Sequence, residues 1–141
     1  MGAPVEETIM PLKKGYKQLL AEANAEIETL PVEAAIALHG QPDVVFVDLR
    51  DPREMDREGK MPAAFACTRG MLEFWIDPES PYGKPIFTES KRFVFFCAGG
   101  LRSALAAKTA QDMGLENVAH IDGGFGAWKQ AGGPVTAPKT T

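Results

Sequence analysis

Two short runs, Val44-Val45-Phe46-Val47 and Phe93-Val94-Phe95-Phe96, are apolar at every position. A strand with one wet face alternates polar and apolar residues, so unbroken runs suit strands covered on both sides, as in a parallel sheet. Asn117 to Ile121 forms a third, shorter run. Between the last two lies Arg102 to Met113, alanine-rich and closed by Gly114, which predicts a helix with a glycine cap. Strand, helix and strand in that order imply a right-handed crossover and an α/β fold built on a small open parallel sheet.

The remaining segments fit around that unit. Pro11 to Ala25 carries Leu12, Tyr16, Leu19, Leu20 and Ala23 close to helical spacing. Ile27 to Leu30 suits a short strand, and Pro31 suits the first turn of a helix running to about Leu38, with Gly40 near its end. Asp77 to Pro85 is polar and rich in proline, and predicts a loop. No repeat or second-domain linker interrupts the 141 residues, enough chain for one core. Residues 1–25 therefore read as a helical extension packed on the domain, 26–136 as the domain itself, and 137–141 as a C-terminal tail. The first helix could pack internally or swap between subunits, which leaves the oligomeric state open.

Charge narrows the partners. The formal net charge is −4, which disfavours nucleic acid and anionic membrane as ligands. No stretch is long and apolar enough to span a bilayer, and Met1 to Met10, with Glu6 and Glu7, lacks the order of a secretory signal. The cytoplasm is the expected compartment. There, Cys67 and Cys97 read as two free thiols. His39 and His120 do not stand at ligand spacing from either cysteine and no CxxC occurs, so neither metal nor cofactor is expected. Both histidines read as solvated or hydrogen-bonded side chains.

The chemistry concentrates where the Phe93–Phe96 run ends. Cys97-Ala98-Gly99-Gly100-Leu101-Arg102-Ser103 leads directly into the helix. Ligands of open α/β sheets bind just beyond the carboxyl ends of the strands. Two glycines let the backbone curl, so that successive N–H groups of Ala98 to Ser103 can face one spot. The helix behind contributes its positive end, and Arg102 a full charge with a fork of donors. Together these favour a reactive thiolate on Cys97, with the loop holding an anionic substrate over the sulfur. A bare cysteine after an apolar strand would read as a buried core residue; the double glycine, arginine and helix start argue against that.

This loop resembles the active-site loop of rhodanese domains, and other segments match in order. Val47-Asp48-Leu49-Arg50-Asp51-Pro52-Arg53-Glu54 is similar to the family's strand end and turn. Gly70-Met71-Leu72-Glu73-Phe74 resembles the segment after the third strand in one single-domain branch. Asp122-Gly123-Gly124-Phe125-Gly126-Ala127-Trp128 resembles the C-terminal signature. The resemblance runs from about Glu28 to Val135. It implies the rhodanese-like fold, with helices on both faces of the sheet, and transfer of sulfane sulfur through a persulfide on Cys97. Its partners would be a small sulfur donor such as thiosulfate and a thiol or cyanide acceptor. In the stretch Gly59-Lys60-Met61-Pro62-Ala63-Ala64, Lys60 stands at the family's usual histidine and Ala64 at a usual glycine, a change that reads as local repacking. Leu101 replaces a bulky aromatic often found in this branch.

Plainer roles compete at several positions. Asp48 and Arg50 read as supports that frame the pocket through hydrogen bonds, and Arg69 as lining its mouth or lying on the surface. Phe125 and Trp128 read as helix residues facing the core. Cys67 could act as a resolving thiol, but a free cysteine is commonly a small buried hydrophobe. Two other functions remain: a cysteine-dependent phosphatase or arsenate reductase on the related fold, and a non-catalytic binding or sulfur-sensing module. Cysteine phosphatases hold their oxyanion in a loop one residue longer, whereas here four residues, Ala98 to Leu101, separate Cys97 from Arg102. The shorter cradle suits a single sulfur, and the presence of Cys97 disfavours the module.

Overall fold

The computed structural model describes residues 11–138. Five strands, β1 (Glu28–Leu30), β2 (Val44–Asp48), β3 (Phe65–Ala66), β4 (Arg92–Phe96) and β5 (Val118–Ile121), form one sheet in the order β1-β5-β4-β2-β3. Every pairing is parallel. Among the described residues six α-helices surround it: α1 (Tyr16–Glu26), α2 (Val32–Leu38), α3 (Pro52–Glu58), α4 (Leu72–Ile76), α5 (Leu101–Asp112) and α6 (Gly124–Gln130).

The unbroken apolar runs occupy the middle of the sheet because each of their sides meets a separate core. On β4, Phe93 and Phe95 face a cluster with α1, α4 and α5, while Val94 and Phe96 face a second cluster with α2 and α6. The alanines of α5, Ala104, Ala106, Ala107 and Ala110, are fully buried, and their small side chains bring the helix backbone close to the sheet. Gly114 follows α5 in the left-handed conformation expected of a cap. Phe125 and Trp128 are core residues, and the Trp128 indole donates to the Pro134 carbonyl at 2.8 Å.

Three readings change. The first helix starts at Tyr16 rather than Pro11, with Gly15 accepting from the Leu19 amide, and Leu12 is left 80% exposed. Its inward residues are Leu20 and Ala23, followed by Ile27; Tyr16 and Leu19 point outward. The segment after β2, read as a turn, is α3. Asp51 caps it by accepting from the Arg53 and Glu54 amides, and the Glu54 carboxylate accepts from the Asp51 amide, a complete capping box. Third, the alanine that departs in backbone shape is Ala63, not Ala64. It sits at φ +66° in the turn Met61-Pro62-Ala63-Ala64, which is closed by the Ala64 amide on the Met61 carbonyl at 3.3 Å. Lys60 uses its backbone in a two-way bridge with Thr136 while its side chain stays in solvent, so this position makes little demand on residue type.

Candidate active site

β2 and β4 end side by side, with the Leu49 amide donating to the Phe96 carbonyl at 2.9 Å. Cys97 is the first residue beyond β4. Its chain turns through Ala98 and Gly99, and Gly100 caps α5 at φ +101°, a conformation a side chain would strain. The turn brings two amides to the sulfur: Gly100 N–H lies 3.2 Å and Ser103 N–H 3.4 Å from Cys97 Sγ. The Cys97 side chain is 1% exposed and sits against these donors.

The loop is held from behind by α6. A helix start leaves amides without intrahelical partners, and two of them take loop carbonyls: Phe125 N–H donates to Cys97 O at 2.8 Å and Gly126 N–H to Ala98 O at 3.1 Å. Pinning these carbonyls on one side turns the following N–H groups toward the sulfur. Gly124 is what permits the approach. A Cβ there would stand 2.5 Å from the Cys97 oxygen, and its φ is +59°.

The predicted loop residues Ala98, Gly99, Gly100, Leu101, Arg102 and Ser103 therefore gather around Cys97, and Leu101 stands 58% exposed at the rim. Two hollows flank the loop. One of about 440 Å³ borders Ala98 and is lined by Arg50, Glu54, Arg57 and Lys129 among others. The other, about 290 Å³, borders Gly99 to Leu101 and reaches Thr29 and His120.

Arg102 has a second partner besides the sulfur. Its guanidinium is taken by Glu54, with Nη1 and Nη2 each donating to one carboxylate oxygen at 2.8 Å. The Arg102 hydrogen bonds hold the Glu54 carboxyl at about 2, well below the usual range. In return Glu54 raises the Arg102 pKa, and the Cys97 sulfur adds in the same direction. Glu54 is thus a member of the site that sequence reasoning missed, although the Asp51-Pro52-Arg53-Glu54 spacing of a capping box was there to be read.

The supporting residues divide. Asp48 and Arg50 are buried and satisfy each other through bonds of 3.0 and 2.8 Å; Arg50 also donates to Gly59 O and lies 4.0 Å over the Phe125 ring. This frame fixes the β2 end beneath the α6 start. Arg69 lines neither hollow beside the loop, and its side chain pairs with Glu73 at 2.9 Å. Cys67 is a free, fully buried thiol, and burial pushes its pKa up to about 12. It follows β3 while Cys97 follows β4, and β2 runs between them. Two strand spacings are about 10 Å, beyond the roughly 7 Å that a disulfide can bridge between Cα atoms.

His120 lies on β5, 3% exposed, between two hydroxyls. Nδ1 is 3.0 Å from Ser103 Oγ and Nε2 is 3.1 Å from Thr29 Oγ1. Burial lowers its pKa, against a smaller opposing pull from Asp122. His39 lies elsewhere, 2.8 Å from the Pro62 carbonyl.

The family profile described as Rhodanese-like domain matches residues 31–131. Thiosulfate sulfurtransferase GlpE of Vibrio cholerae is 30% identical over 108 residues, covering 77% of this chain and 93% of that protein. Among solved structures, a Rhodopseudomonas palustris CGA009 protein of unknown function, described as a possible tyrosine phosphatase, superposes with a TM-score of 0.89. It is 68% identical, covering 91% of this chain and 98% of its own. The polysulfide-sulfur transferase homodimer of Wolinella succinogenes superposes with a TM-score of 0.64 at 29% identity, covering 85% of each chain. With that family profile spanning most of the sequence, from the end of β1 to the end of α6, the chain belongs to the rhodanese-like domain family.

Proposed function

We propose that the protein is a sulfurtransferase that carries sulfane sulfur on Cys97, from thiosulfate or a similar donor to a thiol or cyanide acceptor. The observation that carries this reading is the convergence of the Gly100 and Ser103 amides on Cys97 Sγ at 3.2 and 3.4 Å. Fixed N–H donors stabilise negative charge on sulfur, which both the attacking thiolate and the persulfide need. The sulfurtransferase names of the Vibrio and Wolinella relatives support the same chemistry. Asp48 and Arg50 serve here as framing residues, and Arg102 as a charge held at the rim by Glu54.

The test is intact-protein mass after thiosulfate and then after cyanide. One sulfur should be gained and then lost as thiocyanate, and Cys97→Ser should gain none. A Cys97→Ser protein that still releases thiocyanate at the wild-type rate overturns the assignment.

A phosphatase reading is favoured by the description of the Rhodopseudomonas relative. Against it stands the four-residue loop, and two of the Arg102 N–H groups are already taken by the Glu54 carboxylate. Thiosulfate should therefore turn over and a generic aryl phosphate should not. Comparable rates with both would show that the loop accommodates a tetrahedral oxyanion.

A further inference from the structure

Behind the thiol runs an unbroken line of hydrogen-bonding side chains. Cys97 Sγ lies 3.6 Å from Ser103 Oγ, within the longer reach of sulfur. Ser103 Oγ lies 3.0 Å from His120 Nδ1, and His120 Nε2 lies 3.1 Å from Thr29 Oγ1. The fold places each member. Ser103 is fully buried in the first turn of α5, directly over β5. His120 and Thr29 are direct neighbours across the β5–β1 pairing. Thr29 and His120 also line the 290 Å³ hollow beside Gly99 to Leu101, so the line ends at a way out.

Donor counting gives the line a direction. A serine hydroxyl has one proton and a neutral imidazole has one N–H. When the thiol donates to Ser103 Oγ, the hydroxyl proton can go only to His120 Nδ1, which leaves Nε2–H to donate to Thr29. We propose that Cys97, Ser103 and His120 form a proton relay in which His120, acting through Ser103, takes up the thiol proton as Cys97 becomes a nucleophile.

This inference rests on the sulfurtransferase reading of the same site. As Cys97 attacks, its proton moves to Ser103 Oγ while the hydroxyl proton moves to Nδ1. The result is a thiolate that accepts from Ser103 O–H, and an imidazolium that donates to Ser103 Oγ. The thiolate electron pair forms the new S–S bond to the outer sulfur of the donor. The donor's own S–S bond breaks, and its electron pair leaves with sulfite or thiolate. When the acceptor takes the outer sulfur, the pair of the persulfide bond returns to Cys97 and the proton returns along the same line.

The surroundings suit a histidine that is neutral at rest. Burial lowers its pKa, so the imidazole is unprotonated and able to accept at neutral pH. The charged group facing it is Asp122, at the end of β5, which favours the imidazolium once formed. From α1 the hollow is lined by uncharged Leu20 and Asn24, and from β1 by Thr29. From α5 the contact is Ser103, beyond which lies the Cys97 thiol; the Arg102 guanidinium pairs with Glu54 and also interacts with the Cys97 sulfur. The neighbour across β4 is Phe95.

The experiment is the pH profile of Cys97 alkylation by iodoacetamide, read from peptide mass, in wild type, Ser103→Ala, His120→Gln and the double variant. Melting temperatures are taken in parallel. Each single variant should move the profile to higher pH and slow alkylation at pH 7 by at least about tenfold, the factor one charge-assisted hydrogen bond contributes. The double variant should be no worse than the worse single, because both cut the same line. Ser103→Ala removes one oxygen and keeps the helix, so it carries the test even where the histidine variant folds poorly. Profiles for Ser103→Ala and wild type that coincide would overturn the relay. Alkylation does not need sulfur transfer, so a shifted profile in a protein that never gains sulfur would reject the proposed activity and keep the relay.

Discussion

Arg102 and Glu54 hold each other at the rim of the site, and the pairing has a pH signature. The Glu54 carboxyl is depressed in the folded protein to about 2. The stability it contributes is complete above the ordinary carboxylate range near pH 4.5 and is lost as pH falls toward 2. Relative to Glu54→Gln, wild type should be more stable by roughly 1–2 kcal/mol at pH 7, after discounting for the partly exposed Arg102 side chain. Urea unfolding of both proteins at pH 7 and pH 3 should show that margin shrinking on acidification; a constant margin would mean that the ion pair contributes nothing. Cys67 gives the opposite expectation for activity. Buried, with its thiol pushed up to about 12, it lies outside the cradle, so Cys67→Ala should lower stability by about 1 kcal/mol and keep most of the thiosulfate turnover. Collapse of turnover in a folded Cys67→Ala protein would reverse that assignment. At this scale the sequence makes contiguous features legible and leaves distant pairings hidden. Cys97 and its loop are a single uninterrupted motif, whereas Glu54 reaches Arg102 across 48 positions and His120 reaches Ser103 across 17. No spacing rule links those residues, because only the closure of the sheet puts them in contact.

Among the elements, legibility follows length. β2, β4 and α5 repeat their pattern over five, five and twelve residues, and each is plain in the sequence. β3 has two residues and α4 five, too few for any period to show. The junction between the Cys97 loop and α6 is the element-scale contact with the sharpest consequence. Gly124→Ala would drive a methyl into the Cys97 and Ala98 carbonyls, so it should destabilise the fold by more than about 2 kcal/mol and impair sulfur transfer in whatever still folds. Two residues on, Gly126→Ala meets only an ordinary contact of 3.6 Å with Ala98 O, and should stabilise α6 by about 0.5 kcal/mol. Thermal unfolding of the two variants side by side tests the clamp, and equal melting points would dismiss it. The Met61–Ala64 turn offers a gain. Ala63 occupies the left-handed region at φ +66°, where an L side chain costs about 1 kcal/mol, so Ala63→Gly should raise stability by about that amount. A lower melting temperature in that variant would show that the methyl contributes more through packing than its backbone costs.

For the molecule as a whole, a parallel sheet places every strand end on the same edge, and the site occupies that edge. Parallel order also means that no two sheet neighbours can be joined by a short hairpin. β1 shows the extreme case. Among the described residues its one partner is β5, and Thr29 meets His120 across 91 positions. The strand that opens the sheet thus has nothing to pair with until a segment 91 positions further along has joined the sheet. Contacts of such sequence separation are slow to form, because loop closure must be met before they return any energy. In pulse-labelled hydrogen exchange during refolding, amides of β2 and β4 should gain protection before Leu30 on β1; simultaneous protection would show one concerted step. Since Thr29 and His120 also end the line behind the thiol, the β1 edge should be the last part of the site to assemble. On refolding of the whole chain the loop around Cys97 would then be held in outline before the histidine has its final neighbour, so completion of the line behind the thiol would be the closing event of folding.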